Sequence, residues 1–167
     1  MSQTIMLGAE PLVLETVATV ADGARVELDP KARERVIAAR TVVEEKAAED
    51  TPVYGVTTGF GALAEVKVPP DQITALQRNL ILSHAAGVGA PLSVRETRAM
   101  MFLRAQTLAG GYSGCRPDII DFVVDMLNKG VHPLIPEKGS VGASGDLAPL
   151  AHLALTMLGE GMVDIEG

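Results

Sequence analysis

Apolar residues recur every three to four positions through most of this chain, and that period predicts helices. Asp29 and Pro30 supply an N-cap and a first helical residue, after which apolar side chains fall on one face and Glu and Arg on the other. Ser93 and Glu96 have the spacing of a capping box. The predicted helices are residues 15–21, 30–47, 69–86, 93–109, 117–129 and 146–158. We therefore expect a mainly α fold.

The remaining segments are short or rich in glycine. Short extended pieces are predicted near the N-terminus at 12–14 and 26–28, and the prolines of 131–136 exclude regular helix there. Two glycine-rich stretches, 54–61 and 138–145, interrupt the helical pattern. Glycine lets a backbone turn sharply or approach another group closely, so both stretches are expected to be loops. With no internal repeat, residues 1–167 are treated as one segment.

Composition and charge exclude several classes of function. The chain has 167 residues, a formal net charge of −7 and one cysteine, which rules out an internal disulfide framework and fits a reducing cytoplasm. Scattered basic residues argue against nucleic-acid binding, which needs clustered Lys and Arg. No apolar run reaches the roughly 18 residues of a membrane span. A mean hydropathy of +0.25 is apolar for a free-standing domain, so we expect part of the surface to be covered by a partner.

The loop that precedes the last helix has two readings from its residues alone. Glycine-rich backbone at a helix start can cradle an anion, but Asp146 stands where a phosphate loop has lysine or serine. The alternative is a capped turn with Ser144 as N-cap and Asp146 in the first helical turn. The spacing by itself favours the capped turn.

Three segments, in order along the chain, resemble the aromatic amino acid ammonia-lyases. They are Tyr54-Gly-Val-Thr-Thr-Gly-Phe-Gly61, Asn79-Leu-Ile-Leu-Ser-His-Ala-Ala-Gly-Val-Gly89 and Gly139-Ser-Val-Gly-Ala-Ser-Gly-Asp-Leu-Ala-Pro-Leu-Ala-His152. The resemblance covers nearly the whole chain. It implies the N-terminal part of a helical fold with glycine-rich active-site loops, assembled in the family as a homotetramer. The helical bundle that completes the fold and holds the substrate carboxylate would lie beyond residue 167, so the 167-residue chain alone is expected to self-associate and to be inactive.

The resemblance also implies an electrophile built from the backbone, a methylidene-imidazolone ring formed from Ala143, Ser144 and Gly145. The amide nitrogen of Gly145 must bond to the Ala143 carbonyl carbon, and a side chain at 145 would hinder that approach. Ser144 must lose water to leave an exocyclic methylene. Cyclisation requires the surrounding protein to hold the loop in a strained geometry, and the chain alone is expected to leave the loop uncyclised if it does not supply that strain.

The family gives the role of base to the tyrosine that opens the first glycine loop, here Tyr54. Its histidine-specific members carry Ser-His where phenylalanine and tyrosine lyases carry other pairs, and this chain has Ser83-His84. An imidazole there can hydrogen-bond a substrate imidazole and disfavour phenylalanine. The remaining site residues implied by the resemblance are Gly61 on the substrate side and, in support of the loops, Thr58, Gly59, Asn79, Gly142 and Asp146.

The implied activity is elimination of ammonia from L-histidine to give urocanate, a step of histidine degradation. Phenylalanine or tyrosine lyases, aminomutases and an inactive fragment that only self-associates remain alternatives. Thr57 departs from the Asn that is more frequent in histidine lyases. A metal site is not expected, since no two histidines have i, i+4 spacing and Cys115 stands alone. His152 is expected to be structural.

Overall fold

Six helices and six short strands make up the part of the chain that this computed structural model describes, residues 4–9, 11–49, 51–59, 61, 68–143 and 145–165. The side chain of Pro70 is also outside the description. The helices are α1 (Leu14–Ala21), α2 (Pro30–Ala48), α3 (Pro70–His84), α4 (Val94–Ala109), α5 (Pro117–Asn128) and α6 (Leu147–Met157). The strands are β1 (Thr4–Leu7), β2 (Arg25–Leu28), β3 (Val88–Pro91), β4 (Val131–Pro133), β5 (Pro136–Lys138) and β6 (Val163–Ile165). The mainly α prediction is confirmed.

Local capping interactions fix where the two longest helices begin. The Asp29 carboxylate accepts a hydrogen bond from the backbone N–H of Ala32 at 2.9 Å, as expected for an N-cap. The Glu96 N–H donates to the Ser93 hydroxyl at 3.3 Å, and the Ser93 N–H donates to the Glu96 carboxylate at 2.9 Å. The Ser93 hydroxyl also donates to the Glu96 carboxylate at 2.6 Å, and this bond, with the one from the Ser93 N–H, lowers the pKa of Glu96. Both predicted helix starts are confirmed.

The strands form three separate two-stranded sheets. β1 and β2 are parallel, whereas β3 pairs with β5 and β4 with β6 in antiparallel fashion. The extended piece predicted at 12–14 is wrong, because Leu14 begins α1 and Val13 is its N-cap. The N-terminal partner of β2 is β1, earlier in the chain. The predicted linker 131–136 holds β4 and the start of β5, with Pro133 and Pro136 at strand ends where a missing N–H is tolerated.

The hydrophobic core surrounds α4, against which α1, α2 and α5 pack. Fully buried apolar side chains come from β1, β2, four helices (α1, α2, α4 and α5) and the segment between β4 and β5, among them Leu7, Val20, Val26, Val36, Met101, Phe102, Ile120, Leu127 and Ile135. α6 reaches this core through Leu153. α3 lies outside it and packs chiefly on α6, with none of its described side chains buried.

A buried arginine joins the C-terminal ends of two helices to the core. The Arg98 guanidinium, 5% exposed, donates to the carbonyl oxygens of Val20 at 2.9 Å, Leu127 at 2.8 Å and Ala24 at 3.2 Å. Val20 lies in the last turn of α1 and Leu127 in the last turn of α5. Carbonyl groups at helix ends carry partial negative charge, so the cation satisfies groups that the helices leave unpaired.

Replacing Arg98 with methionine is expected to destabilise the fold by about 3–5 kcal/mol, because three carbonyls, two of them on buried residues, lose their hydrogen bonds from the guanidinium. Urea unfolding followed by circular dichroism measures the change. Arg95→Met is the matched control on the same helix, since its ion pair with Asp22 is exposed on both sides. A free energy of unfolding in Arg98→Met equal to that of Arg95→Met would contradict this interpretation.

Candidate functional site

The first glycine-rich loop begins with a turn closed by a threonine. The Thr57 N–H donates to the Val53 carbonyl at 3.0 Å, and the Val53 N–H donates back to the Thr57 hydroxyl at 2.9 Å. Thr57 is buried, and its own carbonyl accepts from the Val68 N–H at 3.1 Å. Thr57, the residue at which the resemblance leads one to expect Asn, therefore closes the turn through its hydroxyl. Sequence reasoning did not assign that role.

A second threonine continues the support of this loop. The Thr58 hydroxyl accepts from the Gly55 N–H at 3.3 Å and donates to the Gly59 carbonyl at 2.9 Å. Both Thr58 and Gly59 are buried, whereas Tyr54 is 63% exposed. The loop is thus fixed from within by its threonines and presents its tyrosine outward. Asn79, the other residue expected to support a loop, is exposed on α3, one turn before Ser83.

The second glycine-rich loop ends in a tight turn at the start of α6. The Asp146 N–H donates to the Ala143 carbonyl oxygen at 3.2 Å, and Gly145 between them has a φ of 96°, a region that disfavours a side chain. Earlier in the loop, the Gly142 N–H donates to the Ser140 hydroxyl at 3.3 Å. Ser144 lies outside the described residues.

The capped-turn alternative places the start of α6 incorrectly. Asp146 is the N-cap itself, with a left-handed φ of 35° and no side-chain capping bond, so it is not a first-turn residue and Ser144 is not the N-cap. Among the described residues, the Asp146 Oδ1 atom is buried without a hydrogen-bond partner. Asp146 thus occupies the N-cap position and closes the turn through its backbone, while its side chain does not cap the helix.

One cleft of about 470 Å³ brings the separate segments together. Tyr54 and Gly61 from the first loop, His84 from the end of α3 and Gly145 from the second loop all line it. The remaining lining residues are Leu80, Ile81, Arg104, Leu147, Leu150, Ala151 and Ala154. The cleft is therefore largely apolar, with a phenol, an imidazole and a guanidinium as its functional side chains.

The two members of the Ser-His pair have different surroundings. The Ser83 hydroxyl is exposed and donates to the Leu80 carbonyl at 2.8 Å, so its hydrogen is used on its own helix. His84 is half-buried, and its Nδ1 lies 2.8 Å from the same carbonyl and 3.1 Å from the Ser83 oxygen. Because a carbonyl oxygen can only accept, Nδ1 carries a hydrogen, and in the neutral imidazole Nε2 is then an acceptor. The structure places His84 in the cleft and Ser83 beside it.

Arg104 is a cleft residue that the sequence motifs did not reveal. It is half-buried on α4, and among the described residues of the lining it is the only lysine or arginine. An arginine within the otherwise apolar stretch 99–105 is the signal that could have drawn attention to it. It gives the cleft a fixed positive charge, since a guanidinium stays protonated at any physiological pH.

His152 is engaged with the backbone, as expected of a structural histidine. It lies on α6, and its Nε2 accepts a hydrogen bond from the Gly87 N–H at 3.1 Å. Burial lowers the pKa of His152 from its ordinary value of 6.5. The imidazole is therefore kept neutral at neutral pH, and the hydrogen bond persists there.

Metal ligands do not cluster in the described part of the chain: no three His, Cys, Asp or Glu side chains there could together hold an ion. Cys115 is half-buried, and burial raises the pKa of its thiol. No helix within the same ranges has the length and apolar character needed to cross a membrane.

The sequence of most of the chain matches a known family of lyases. Residues 12–167 match the aromatic amino acid lyase family, and the chain belongs to that family. It is 54% identical over 164 residues to histidine ammonia-lyase of Myxococcus xanthus, an alignment that covers 98% of this chain and 32% of that protein.

Solved structures of the family superpose closely on the chain. Ergothionase of Treponema denticola, an ergothioneine-degrading enzyme, matches with a TM-score of 0.93 and 34% identity over 99% of this chain and 33% of its own. Tyrosine aminomutase of Streptomyces globisporus matches with a TM-score of 0.91 and 39% identity over 99% of this chain and 31% of its own. The chain thus spans about a third of the length of the relatives it matches.

Proposed function

We propose that the polypeptide containing this chain eliminates ammonia from L-histidine without oxidation and gives urocanate. The observation that carries the proposal is the shared cleft, because Tyr54, His84 and Gly145 come from three distant segments and line one space. The 54% identity to a histidine ammonia-lyase supports the choice of substrate. A cytoplasmic location fits the single cysteine.

The second loop suits the methylidene-imidazolone ring that the family implies. Ring closure needs the Gly145 nitrogen near the Ala143 carbonyl carbon, and the turn closed by Asp146 folds this segment back on itself. Gly145 lies two residues before α6, whose N-terminal end carries partial positive charge. When formed, the ring supplies an electrophile that withdraws electron density from the substrate. The helix end is placed to stabilise negative charge at the loop.

Tyr54 is proposed to take the β-proton of the substrate. Tyr54 lines the cleft from a turn that Thr57 and Thr58 hold by hydrogen bonds. A base must reach the proton it removes, and fixed backbone around the tyrosine limits the positions its oxygen can sample. Gly61, at the other end of this loop, lines the same space without adding a side chain.

Product analysis distinguishes this proposal from other reactions of the family. The purified full-length polypeptide is given histidine, phenylalanine or tyrosine separately, and the products are separated by chromatography. The proposal requires urocanate and ammonia from histidine at the highest kcat/KM. Cinnamate or coumarate as the preferred product would support an aryl lyase, and a β-amino acid would support an aminomutase.

His84→Leu is expected to reduce the preference for histidine over phenylalanine by about 10- to 100-fold, because the site loses a polar group that pairs with the substrate imidazole. His84 Nε2 is the acceptor left after Nδ1 bonds to Leu80, so it suits the N–H of an imidazole. The ratio of kcat/KM values measures the change. Ser83→Ala is the matched control, since its hydroxyl serves its own helix. An unchanged ratio in His84→Leu would show that His84 does not determine the preference for histidine.

We propose that the full-length polypeptide forms a homotetramer. Large apolar side chains are exposed near both ends of α6 and in the second loop, with Val141 at 84%, Leu147 at 62% and Met162 at 73%. Apolar patches beyond a few hundred Å² are uncommon on stable monomers. Light scattering of the full-length polypeptide is expected to give four times the mass of one such polypeptide, and a monodisperse monomer would contradict the proposal.

A further inference from the structure

Three backbone segments meet closely at Gly87. The Gly87 N–H donates to His152 Nε2 at 3.1 Å, and a β-carbon at position 87 would lie 3.0 Å from that nitrogen and 3.1 Å from the Pro136 β-carbon. A β-carbon at Gly139 would lie 3.1 Å from the Gly87 α-carbon and 3.2 Å from the Ala148 β-carbon. The contact leaves no room for a side chain at either glycine without displacement of a neighbour.

This junction joins the two walls of the cleft. Gly87 follows His84 by three residues, so it anchors the end of α3 that carries the imidazole. Gly139 precedes Ala143 by four residues and lies at the start of the second loop. His152 extends from α6, the helix that this loop enters. A shift at the junction therefore changes the separation of His84 from residues 143–145.

α3 has few other fixed contacts. None of its described side chains is buried, and it packs chiefly on α6. Arg78, in the middle of α3, pairs with Glu160 through two bonds of 2.8 and 2.9 Å, and the arginine is half exposed. Exposed ion pairs contribute little to stability. The more buried hydrogen bond from Gly87 to His152, together with the β3–β5 pairing that begins at Val88, thus holds the C-terminal end of α3.

The chemistry of this bond needs an acceptor at the position of Nε2. A backbone N–H can only donate, so Nε2 is unprotonated and Nδ1 carries the hydrogen. Burial lowers the pKa of His152, which keeps that form at neutral pH. Glutamine can present an acceptor oxygen at a similar reach, whereas methionine fills similar volume with a weak acceptor only.

We infer that His152 is a positioning residue for the reaction: by accepting from Gly87 it sets the distance between His84 and the second loop at Ala143 and Gly145. The described lining of the cleft does not include His152, so it acts through the backbone at Gly87 and not on substrate. The inference rests on the proposed function for its kinetic consequence. Its structural part, the restraint of the end of α3, is independent of substrate.

The test compares His152→Met, His152→Gln and Gly87→Ala with wild type in the full-length polypeptide. Displacing reacting groups by about 1 Å can cost about 100-fold, so His152→Met is expected to lower kcat/KM for histidine by about 10- to 100-fold. His152→Gln is expected to stay close to wild type. Gly87→Ala perturbs the same bond without changing α6 and is expected to behave like His152→Met, which keeps the test valid if the methionine variant does not fold.

Hydrogen exchange of peptides covering 79–90 gives a readout that does not depend on turnover. Exchange there is expected to be faster in His152→Met and Gly87→Ala than in wild type and His152→Gln, with α5 peptides unchanged. Wild-type kinetics and exchange in His152→Met, or equal impairment of His152→Gln and His152→Met, would overturn the inference. If wild type does not convert histidine, the proposed function fails, and exchange over 79–90 still decides the restraint of α3.

Discussion

Ser144→Ala in the full-length polypeptide is expected to abolish conversion of histidine to urocanate while the fold is retained. The ring requires Ser144 to lose its hydroxyl as water and to leave an exocyclic methylene, and alanine has no group to lose. Without that electrophile, the amino group stays a poor leaving group and the β-proton is too weakly acidic for a side-chain base. The absorbance of urocanate in a continuous assay measures the loss, and circular dichroism checks the fold.

Ser140→Ala provides the matched control for this experiment. Ser140 is an exposed serine of the same loop, and within the part of the chain that the structure describes its hydroxyl accepts a long 3.3 Å bond from Gly142. It is expected to keep most of the wild-type activity. Turnover by Ser144→Ala at a rate near that of Ser140→Ala would refute a ring built from residues 143–145.

Tyr54→Phe is expected to lower kcat by about 100-fold or more, the usual effect of losing a group that transfers a proton. Phenylalanine keeps the ring of the side chain and the glycine-rich turn around it, so only the hydroxyl is lost. The electrophile should still form, because Tyr54 is not part of the 143–145 segment. The two variants are thereby distinguished: Ser144→Ala cannot form the ring, whereas Tyr54→Phe is expected to form the ring and to convert histidine slowly.

The chain contains one other tyrosine, which serves as the control for Tyr54. Tyr112 is 96% exposed and does not line the described cleft. Tyr112→Phe is expected to leave kcat and KM unchanged. If Tyr54→Phe also stays within a few-fold of wild type, the proton is taken by another group and the proposed role of Tyr54 is wrong.

Helix boundaries could be predicted from the sequence because their causes are local. The Asp29 cap and the Ser93–Glu96 capping box involve residues three positions apart, and each is found where the sequence predicts it. Of the six strands, only β2 was predicted, and β1, β3, β4, β5 and β6 could not be predicted. Three or four residues give too little alternation to recognise, and their partners are distant in the chain.

The candidate site was predicted from sequence motifs. The features that the motifs do not reveal are contacts between segments distant in the chain. The resemblance names Tyr54, His84 and Gly145, and the structure gathers them in one cleft. The entry of Arg104 into that cleft follows from how α4 packs, and the bond between Gly87 and His152 joins residues 65 positions apart. The sequence shows Arg104 only as a charge within an apolar stretch and does not show the Gly87–His152 contact at all, since spacing within one segment carries no information about tertiary contacts.

The measurement that tests the central claim most directly is the intact mass of the purified full-length polypeptide, with Ser144→Ala beside it. Cyclisation and dehydration of residues 143–145 remove two water molecules. Wild type is therefore expected to weigh two waters less than its sequence, with the loss located by fragmentation to the peptide that contains 143–145, and Ser144→Ala is expected to retain at least the water that Ser144 would lose. A wild-type mass equal to that of the unmodified sequence in a preparation that converts histidine would contradict the account.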